Sequence, residues 1–358
     1  MWDAYNLRMK YKVLVVATSH KTRGGITSVV KAHKQGIQWN AFHCRWIETH
    51  IDKSRLFALF YFLKSLVSYS YYLFSAQLVH IHLSEPGSAI RKMFFFIPAL
   101  LLRKKIIIHF HSYSVETTIN GKYKNVYQFI FSHADVVIVL SKYWKEAVED
   151  AFNLNNVKVI YNPCTTQKND KYYLKENIIL YAGTVNSRKG YLDLIKAFSL
   201  ISAKYPEWKI VFAGNGEIEN GQKIAKELHI ADKVEFLGWV NGEAKDEAFK
   251  KASIFCLPSY AEGFPMAILD AWAYGLPVIT TPVGGITDVA IDGGNMLIFS
   301  PGNIHELAQK ISILIDDKEL RNKITVASET FADTIFNMKE INAQINNLYS
   351  ELLIKTTD

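Results

Sequence analysis

Cysteine is scarce and scattered. Cys44, Cys164 and Cys256 are odd in number and none stands at CxxC spacing, which argues against a disulfide framework or a zinc ribbon and predicts a reducing, cytoplasmic setting. No DxD triplet occurs in the 358 residues. The usual carboxylates for holding Mg²⁺ on a nucleoside diphosphate are therefore missing, so any diphosphate ligand would have to be met by Lys, Arg and backbone N–H groups, and no metal or cofactor is expected. Helix-turn-helix, zinc-finger and RNP-like signatures are also lacking, so nucleic acid is not the expected partner. The start, MWDAYNLRMKYKVLVVATS, does not read as a signal peptide: its apolar run is short, an acidic residue precedes it, and a Gly-Gly turn follows. Long uncharged apolar runs are limited to Leu56–Leu83, which carries a single charge, Lys64, and is diluted by Ser65, Ser68, Ser70, Ser75 and Gln77. Its end, VHIHL, has strand character. The stretch predicts a surface-lying or buried helix of about 20 residues and then a strand, rather than a membrane span.

The charge that is present is unevenly placed. Residues 1–165 hold 21 Lys and Arg against 9 Asp and Glu, whereas residues 166–358 hold 20 against 25. The first half, where basic residues mix with large apolar ones, predicts an anionic membrane surface as partner. At this length two domains are expected.

β-like runs alternate with helical patterns throughout. Strands are expected at Lys12–Ala17, Leu78–Leu83, Lys105–His109, Asp135–Leu140 and Val157–Tyr161, then at Ile178–Ala182, Lys209–Ala213, Val234–Phe236, Ile254–Leu257 and Pro277–Thr280. This alternation predicts α/β architecture, two doubly wound, Rossmann-like parallel-sheet domains in tandem. The expected division is 1–163, 164–335 and a terminal segment 336–358. A linker falls at Asn162–Lys175, where apolar periodicity fades. The last helix, about Met338–Leu353, is apolar on one face (Ile341, Ile345, Leu348, Tyr349, Leu352) and must pack on something.

Ligands of open parallel sheets collect beyond the carboxyl ends of strands. The loops there carry Gly24–Gly25, Arg188–Lys189–Gly190, the AGNGE turn with Gly214 and Asn215, and GGITD from Gly284 to Asp288. Cations at the helix start after Arg188 and Lys189 work against the helix dipole, so an anionic ligand is the better reason for them. Histidines recur at i and i+2, His80 with His82 and His109 with His111. Packed strand positions suit His80 and His109, while His111 stands at a strand end followed by SYS, better placed for a ligand; a zinc site is not expected without nearby carboxylate or thiolate ligands. The stretch Pro258–Asp288 stands out most. It predicts a loop, a short apolar helix opened by Pro265 and stopped by Gly275 and Pro277, with Glu262 close to the N–H groups of Gly263, Phe264 and Met266, and Asp270 inside an otherwise apolar helix. A lone carboxylate there is costly unless it is paired.

The run EGFPMAILD, Glu262 to Asp270, resembles the E-x7-E motif of retaining glycosyltransferases of family 4, which have the two-domain GT-B fold with a cleft between the domains. The resemblance extends to Lys189–Gly190, AGNGE, FLGWV, PVGGITD, the Gly24–Gly25 loop and the HFHS segment, and so spans most of the chain. It implies that Glu262 contacts the donor sugar, that Asp270 binds the ribose hydroxyls and that Lys189 binds the donor diphosphate. The N–H groups of Gly263, Phe264, Met266 and Ala267 and the Gly24–Gly25 loop would help with the diphosphate, and His111 would reach the transferred sugar. The last helix would cross back onto the first domain. Three positions depart from the family pattern: Asp270 replaces Glu, Thr184 stands where Arg is frequent, leaving Arg188 as a candidate substitute, and Asp288 stands where Glu is frequent. The implied activity is transfer from a UDP- or GDP-linked sugar to a glycan acceptor on a polyprenyl diphosphate, at the inner face of the membrane, in surface polysaccharide synthesis. Two other readings stay open: a sugar-nucleotide epimerase of the related fold and a catalytically impaired nucleotide-sugar-binding protein.

Overall fold

The computed structural model describes residues 12–164 and 175–354. Most of the expected linker, residues 165–174, lies outside them, as do the first 11 residues. The chain divides into two compact units, one of 1–163 with 338–358 and one of 164–337.

In the first unit six strands form one sheet: β1 (Val13–Ala17), β2 (Arg45–Glu48), β3 (Leu78–Leu83), β4 (Lys105–Phe110), β5 (Val136–Val139) and β6 (Val157–Val159). Their order is β2-β1-β3-β4-β5-β6 and every neighbouring pair is parallel. Near-continuous apolar runs are what a sheet buried on both faces demands, and alternate residues divide between two cores. Leu14, Val16, Ile81, Ile108 and Val137 face one, with Tyr69, Phe95 and Phe96 from covering helices. Val13, Val15, Leu78, Ile107 and Ile138 face the other, against Ile341, Ile345, Leu348 and Tyr349.

The helices of this unit are α1 (Gly25–His33), α2 (Ile37–Ala41), α3 (Arg55–Leu73), α4 (Pro86–Leu101), α5 (Lys124–Ser132) and α6 (Lys142–Phe152). α3 has the expected length, 19 residues, but it is not buried: only Ser65, Tyr69 and Leu73 are sequestered. Phe62 and Leu66 pack against the core from its inner face, and the Tyr69 hydroxyl donates to the Phe95 carbonyl at 2.5 Å.

The second unit repeats the plan with β7 (Ile178–Ala182), β8 (Lys209–Ala213), β9 (Val234–Gly238), β10 (Ile254–Leu257), β11 (Val278–Thr280) and β12 (Leu297–Ile298). The order is β12-β11-β10-β7-β8-β9, again parallel throughout. Its helices are α7 (Tyr191–Ser199), α8 (Ile218–Glu227), α9 (Glu243–Lys251), α10 (Met266–Ala273), α11 (Ile304–Asp316) and α12 (Lys318–Asp333). α13 (Met338–Ile354) closes the described chain and belongs to the first unit. Its Asn342 accepts from Gln38 at 2.7 Å and lies 3.0 Å from His33 Nδ1.

The sheet order fixes where chemistry belongs. From β7 the chain winds outward through β8 and β9, then returns to the other side of β7 for β10, β11 and β12. The strand order therefore reverses between β7 and β10, and the loops leaving their carboxyl ends diverge to leave a crevice. In the first unit the reversal lies between β1 and β3.

Candidate functional site

Two loops meet at the reversal in the second unit. The loop after β7 runs through Gly183 and Thr184 into a single 3₁₀ turn, Ser187–Lys189, capped by the Asn186 side chain, which accepts from the Lys189 N–H at 3.1 Å. Gly190 then takes φ +69°, and a Cβ on it would stand 1.9 Å from the Pro258 carbonyl oxygen. Only glycine lets this turn seat against the end of β10. The loop after β10 returns the contact, since the Tyr260 N–H donates to the Arg188 carbonyl at 2.8 Å.

Across this seam the side chains converge on Glu262, which is 5% exposed. Lys189 Nζ bonds to its Oε1, Ser259 Oγ donates to the same oxygen at 2.6 Å, and Arg188 stands 3.8 Å from Oε2. Arg188 also donates to the Ala261 carbonyl at 2.6 Å. Among the described residues the hydrogen-bond partners of the carboxylate are thus the Lys189 and Ser259 side chains rather than N–H groups at the helix start. Burying a carboxylate is tolerable when a cation and further donors satisfy it. A ligand phosphate at Lys189 would share an ammonium that carries three N–H donors.

α10 begins at Met266, with Pro265 as the residue before its first turn (φ −73°, ψ 119°) rather than inside it. Ile268, Leu269, Ala271 and Trp272 face inward. Gly263 is buried and Met266 and Ala267 half-buried, so the helix start contributes backbone; the Phe264 ring is spent on packing, 4.9 Å from Phe336. Behind it, Gly284 at φ +54° presses so close that a Cβ would lie 1.8 Å from the Glu262 carbonyl oxygen, and the Gly285 N–H donates to the Gly263 carbonyl at 2.7 Å. The GGITD turn thereby fixes the backbone that presents Glu262.

Asp270 is not a lone carboxylate. Lys245 of α9 reaches it at 2.7 Å. Burial pushes the Asp270 carboxyl above the ordinary aspartate range, Lys245 pulls it back and Asp246 adds to the rise. Lys245 and Ser259 are residues that spacing did not single out. Ser259 stands three residues before Glu262, a turn-scale signal; Lys245 lies on a separate helix with none.

The AGNGE turn lies beside the β7 loop. The Val185 N–H donates to the Asn215 carbonyl at 2.8 Å, and a Cβ on Gly214 would fall 1.7 Å from the Gly183 carbonyl oxygen. The Asn215 side chain accepts from the Trp239 N–H at 2.7 Å, so it braces the loop after β9. Thr184 is exposed, and its carbonyl accepts from the Tyr181 hydroxyl at 2.7 Å.

In the first unit Gly24 precedes α1 with φ +125° and both Gly24 and Gly25 are exposed. His111 follows the end of β4, with Nε2 2.9 Å from His82 Nδ1, and burial pushes its pKa down to about 3, with His33 adding to the fall. His80, His82 and His109 are buried on one sheet face and stack with interplanar angles of 9° to 26°. One ring nitrogen from each lies within 4.8 Å of the others, a grouping that could hold a metal ion, although near-parallel rings send their in-plane lone pairs along separate planes.

The model of "Glycosyl transferases group 1" matches residues 165–330, and that of "Glycosyltransferase Family 4" matches residues 7–168. An uncharacterized glycosyltransferase of Haemophilus influenzae is 33% identical over 205 residues, 56% of each chain. The capsular polysaccharide biosynthesis glycosyltransferase CapM of Staphylococcus aureus is 27% identical over 51% of this chain and 49% of its own. The chain spans about half the length of these two relatives. Among solved structures, sucrose-phosphate synthase of Thermosynechococcus elongatus superimposes with TM-score 0.79 over 97% of this chain and all of its own at 19% identity. HepE of Anabaena, solved with UDP, gives 0.74 over 95% and 100% at 18%. Two successive family matches, over two six-stranded parallel sheets that reproduce the GT-B architecture, place this chain in glycosyltransferase family 4.

Proposed function

We propose that the protein is a retaining glycosyltransferase that moves a sugar from a nucleoside-diphosphate sugar, UDP- or GDP-linked, to a lipid-linked glycan in surface polysaccharide synthesis, without a metal ion. The observation that carries this reading is the meeting of Lys189, Arg188 and Glu262 beyond β7 and β10, where the strand order reverses. Cations and helix-start N–H groups beside a carboxylate suit a ligand that is anionic at one end and rich in hydroxyls at the other. A relative named for capsular polysaccharide biosynthesis, and a structural neighbour solved with UDP-glucose, support the choice of substrates.

In this reading the bond between the anomeric carbon and the phosphate oxygen breaks as Lys189, Arg188 and the N–H groups of Gly263, Phe264, Met266 and Ala267 stabilise the departing diphosphate. The acceptor hydroxyl bonds to the anomeric carbon on the face being vacated, its proton passing to a leaving phosphate oxygen. Glu262 holds the sugar, and Asp270 binds the ribose. Gly24–Gly25 and His111 serve the phosphate and the sugar, as the family resemblance implies. Thr184, Gly214 and Asn215 shape the donor's surroundings. A lipid-borne acceptor places the protein at the cytoplasmic face of a membrane, whose anionic surface suits the basic first half.

The test is transfer from a panel of UDP- and GDP-sugars to a polyprenyl-diphosphate glycan, with anomeric configuration followed by NMR. Lys189→Ala and Glu262→Ala should each lower kcat by about 10²–10³-fold. Transfer within a few-fold of wild type in both variants would sink the assignment, as would an inverted product.

A further inference from the structure

α3 and α4 break the rule that a helix apolar on all sides is buried. α3 buries one side in the core and leaves Leu56, Phe60, Leu63 and Val67 on the other, 52–82% exposed. α4 repeats the spacing with Ile90, Phe94, Ile97 and Leu101, 40–76% exposed. Both sets fall at i, i+4, i+7 and i+11, one continuous helical stripe. The helices lie side by side, Phe62 meeting Phe94 edge to face at 5.6 Å. Two adjacent stripes of eight large apolar side chains exceed what scattered surface residues produce, and they mark an interaction face.

Charge identifies what covers it. From Asp52 to Val115 the chain has eight Lys and Arg, one of them the buried Lys92, against two acids, Asp52 and Glu85. Exposed Lys53, Arg55 and Lys64 belong to the α3 end of the face, and Arg103 follows α4. Lys53 Nζ lies 4.7 Å from the Phe57 ring, a cation set against the apolar stripe. Apolar side chains with cations and almost no acids are what an interfacial helix presents to anionic lipid: the rings and aliphatic chains enter between headgroups while ammonium and guanidinium groups meet phosphates. α3 is long and apolar enough to cross a membrane. Its inner side, however, is committed to the sheet through Tyr69 and Leu73, so it lies on the surface.

We infer that the outer faces of α3 and α4 form one docking surface for an anionic lipid bilayer, with Leu63, Val67, Phe94 and Ile97 inserted and Lys53, Arg55 and Lys64 at the headgroups. This specifies the membrane partner of the proposed function. It is tested without donor, acceptor or turnover, so its failure and that of the transfer reading are separable.

The experiment is flotation of the full chain with phosphatidylcholine vesicles and with vesicles that also contain phosphatidylglycerol. The wild type should float with the anionic vesicles and much less with the neutral ones. Leu63→Gln with Val67→Gln, and separately Phe94→Gln with Ile97→Gln, should each weaken partition by about tenfold or more. Because these side chains are exposed, the melting temperature should stay within a few degrees and report intact folding. Lys53→Gln with Lys64→Gln should weaken anionic binding and flatten its salt dependence. The proposal is overturned if the wild type does not float, or if the apolar variants float as well as the wild type. It is equally overturned by carbonate-resistant binding, which means a span. Light scattering that shows a dimer dissociated by Leu63→Gln with Val67→Gln would assign the face to a second copy of the chain.

Discussion

Asp270, which we propose binds the donor ribose, carries a cost in stability. A carboxyl whose folded pKa lies above its unfolded value takes up a proton more readily when folded. Its contribution is favourable at low pH and is lost as pH rises from the ordinary aspartate range through the folded pKa. Burial raises the Asp270 pKa despite Lys245, so at neutral pH the ionised side chain weighs against folding. Asp270→Asn removes that charge while Lys245, 35% exposed, can turn to solvent. The variant should melt at or above the wild-type temperature at pH 7, by a few degrees per ~1 kcal/mol, with the advantage shrinking toward pH 4. Its Michaelis constant for the donor should rise about tenfold, the worth of one charge-assisted hydrogen bond. Melting curves across pH with a donor titration check both halves; a melting temperature well below wild type at pH 7 would mean that the Lys245 pair outweighs burial.

At the scale of elements, what could be read in the chain follows physical range. Strands with four or more consecutive apolar residues, such as Val13–Ala17 and Ile254–Leu257, appear where periodicity puts them. β2 and β12 did not announce themselves: Arg45–Glu48 buries only Ile47, and Leu297–Ile298 is two residues long. Such edge strands are defined by a neighbour's hydrogen bonds rather than by their own pattern. The Gly and Glu positions of the candidate site could be singled out because turn geometry is local. The Lys189–Glu262 and Lys245–Asp270 pairs could not, because each joins residues 73 and 25 positions apart that only the sheet order brings together. α13 differs: its apolar stripe was visible in the pattern, and its partner, the first unit, was implied by the family resemblance alone. Tyr349 is buried, and its hydroxyl lies 2.7 Å from His80 Nδ1. Tyr349→Phe should leave that ring without its partner and cost about 1–3 kcal/mol, read as a lower denaturant midpoint with an unchanged slope.

For the molecule as a whole the consequence lies in how histidine is distributed. Nine of the eleven histidines belong to the first unit; only His229 and His305 lie in the second. Five of the nine are held well below the ordinary histidine range chiefly by burial: His33 at about 4, His111 at about 3, and His80, His82 and His109 lower than usual with neighbouring histidines adding to the fall. A histidine whose folded pKa is depressed stays neutral in the native state while the unfolded chain takes up a proton. Stability is therefore full above the unfolded pKa near 6.5 and falls as pH drops below it. Each such group contributes a limiting slope of about 1.4 kcal/mol per pH unit, and five together about 7. A domain with a typical ~10 kcal/mol of stability would exhaust it near pH 5. The second unit has only His229 and His305, both exposed, and no buried histidine stack, so the two should part company in acid. Calorimetry from pH 7.5 to 5.5 should show one transition falling steeply and another nearly stationary, and a bound nucleotide sugar should raise the stationary one. His109 has no hydrogen-bond partner for either ring nitrogen among the described residues, so His109→Phe should flatten the acid slope by about a fifth without harming the fold at pH 7. Parallel acid shifts of both transitions would show that the histidine stack does not set the pH response.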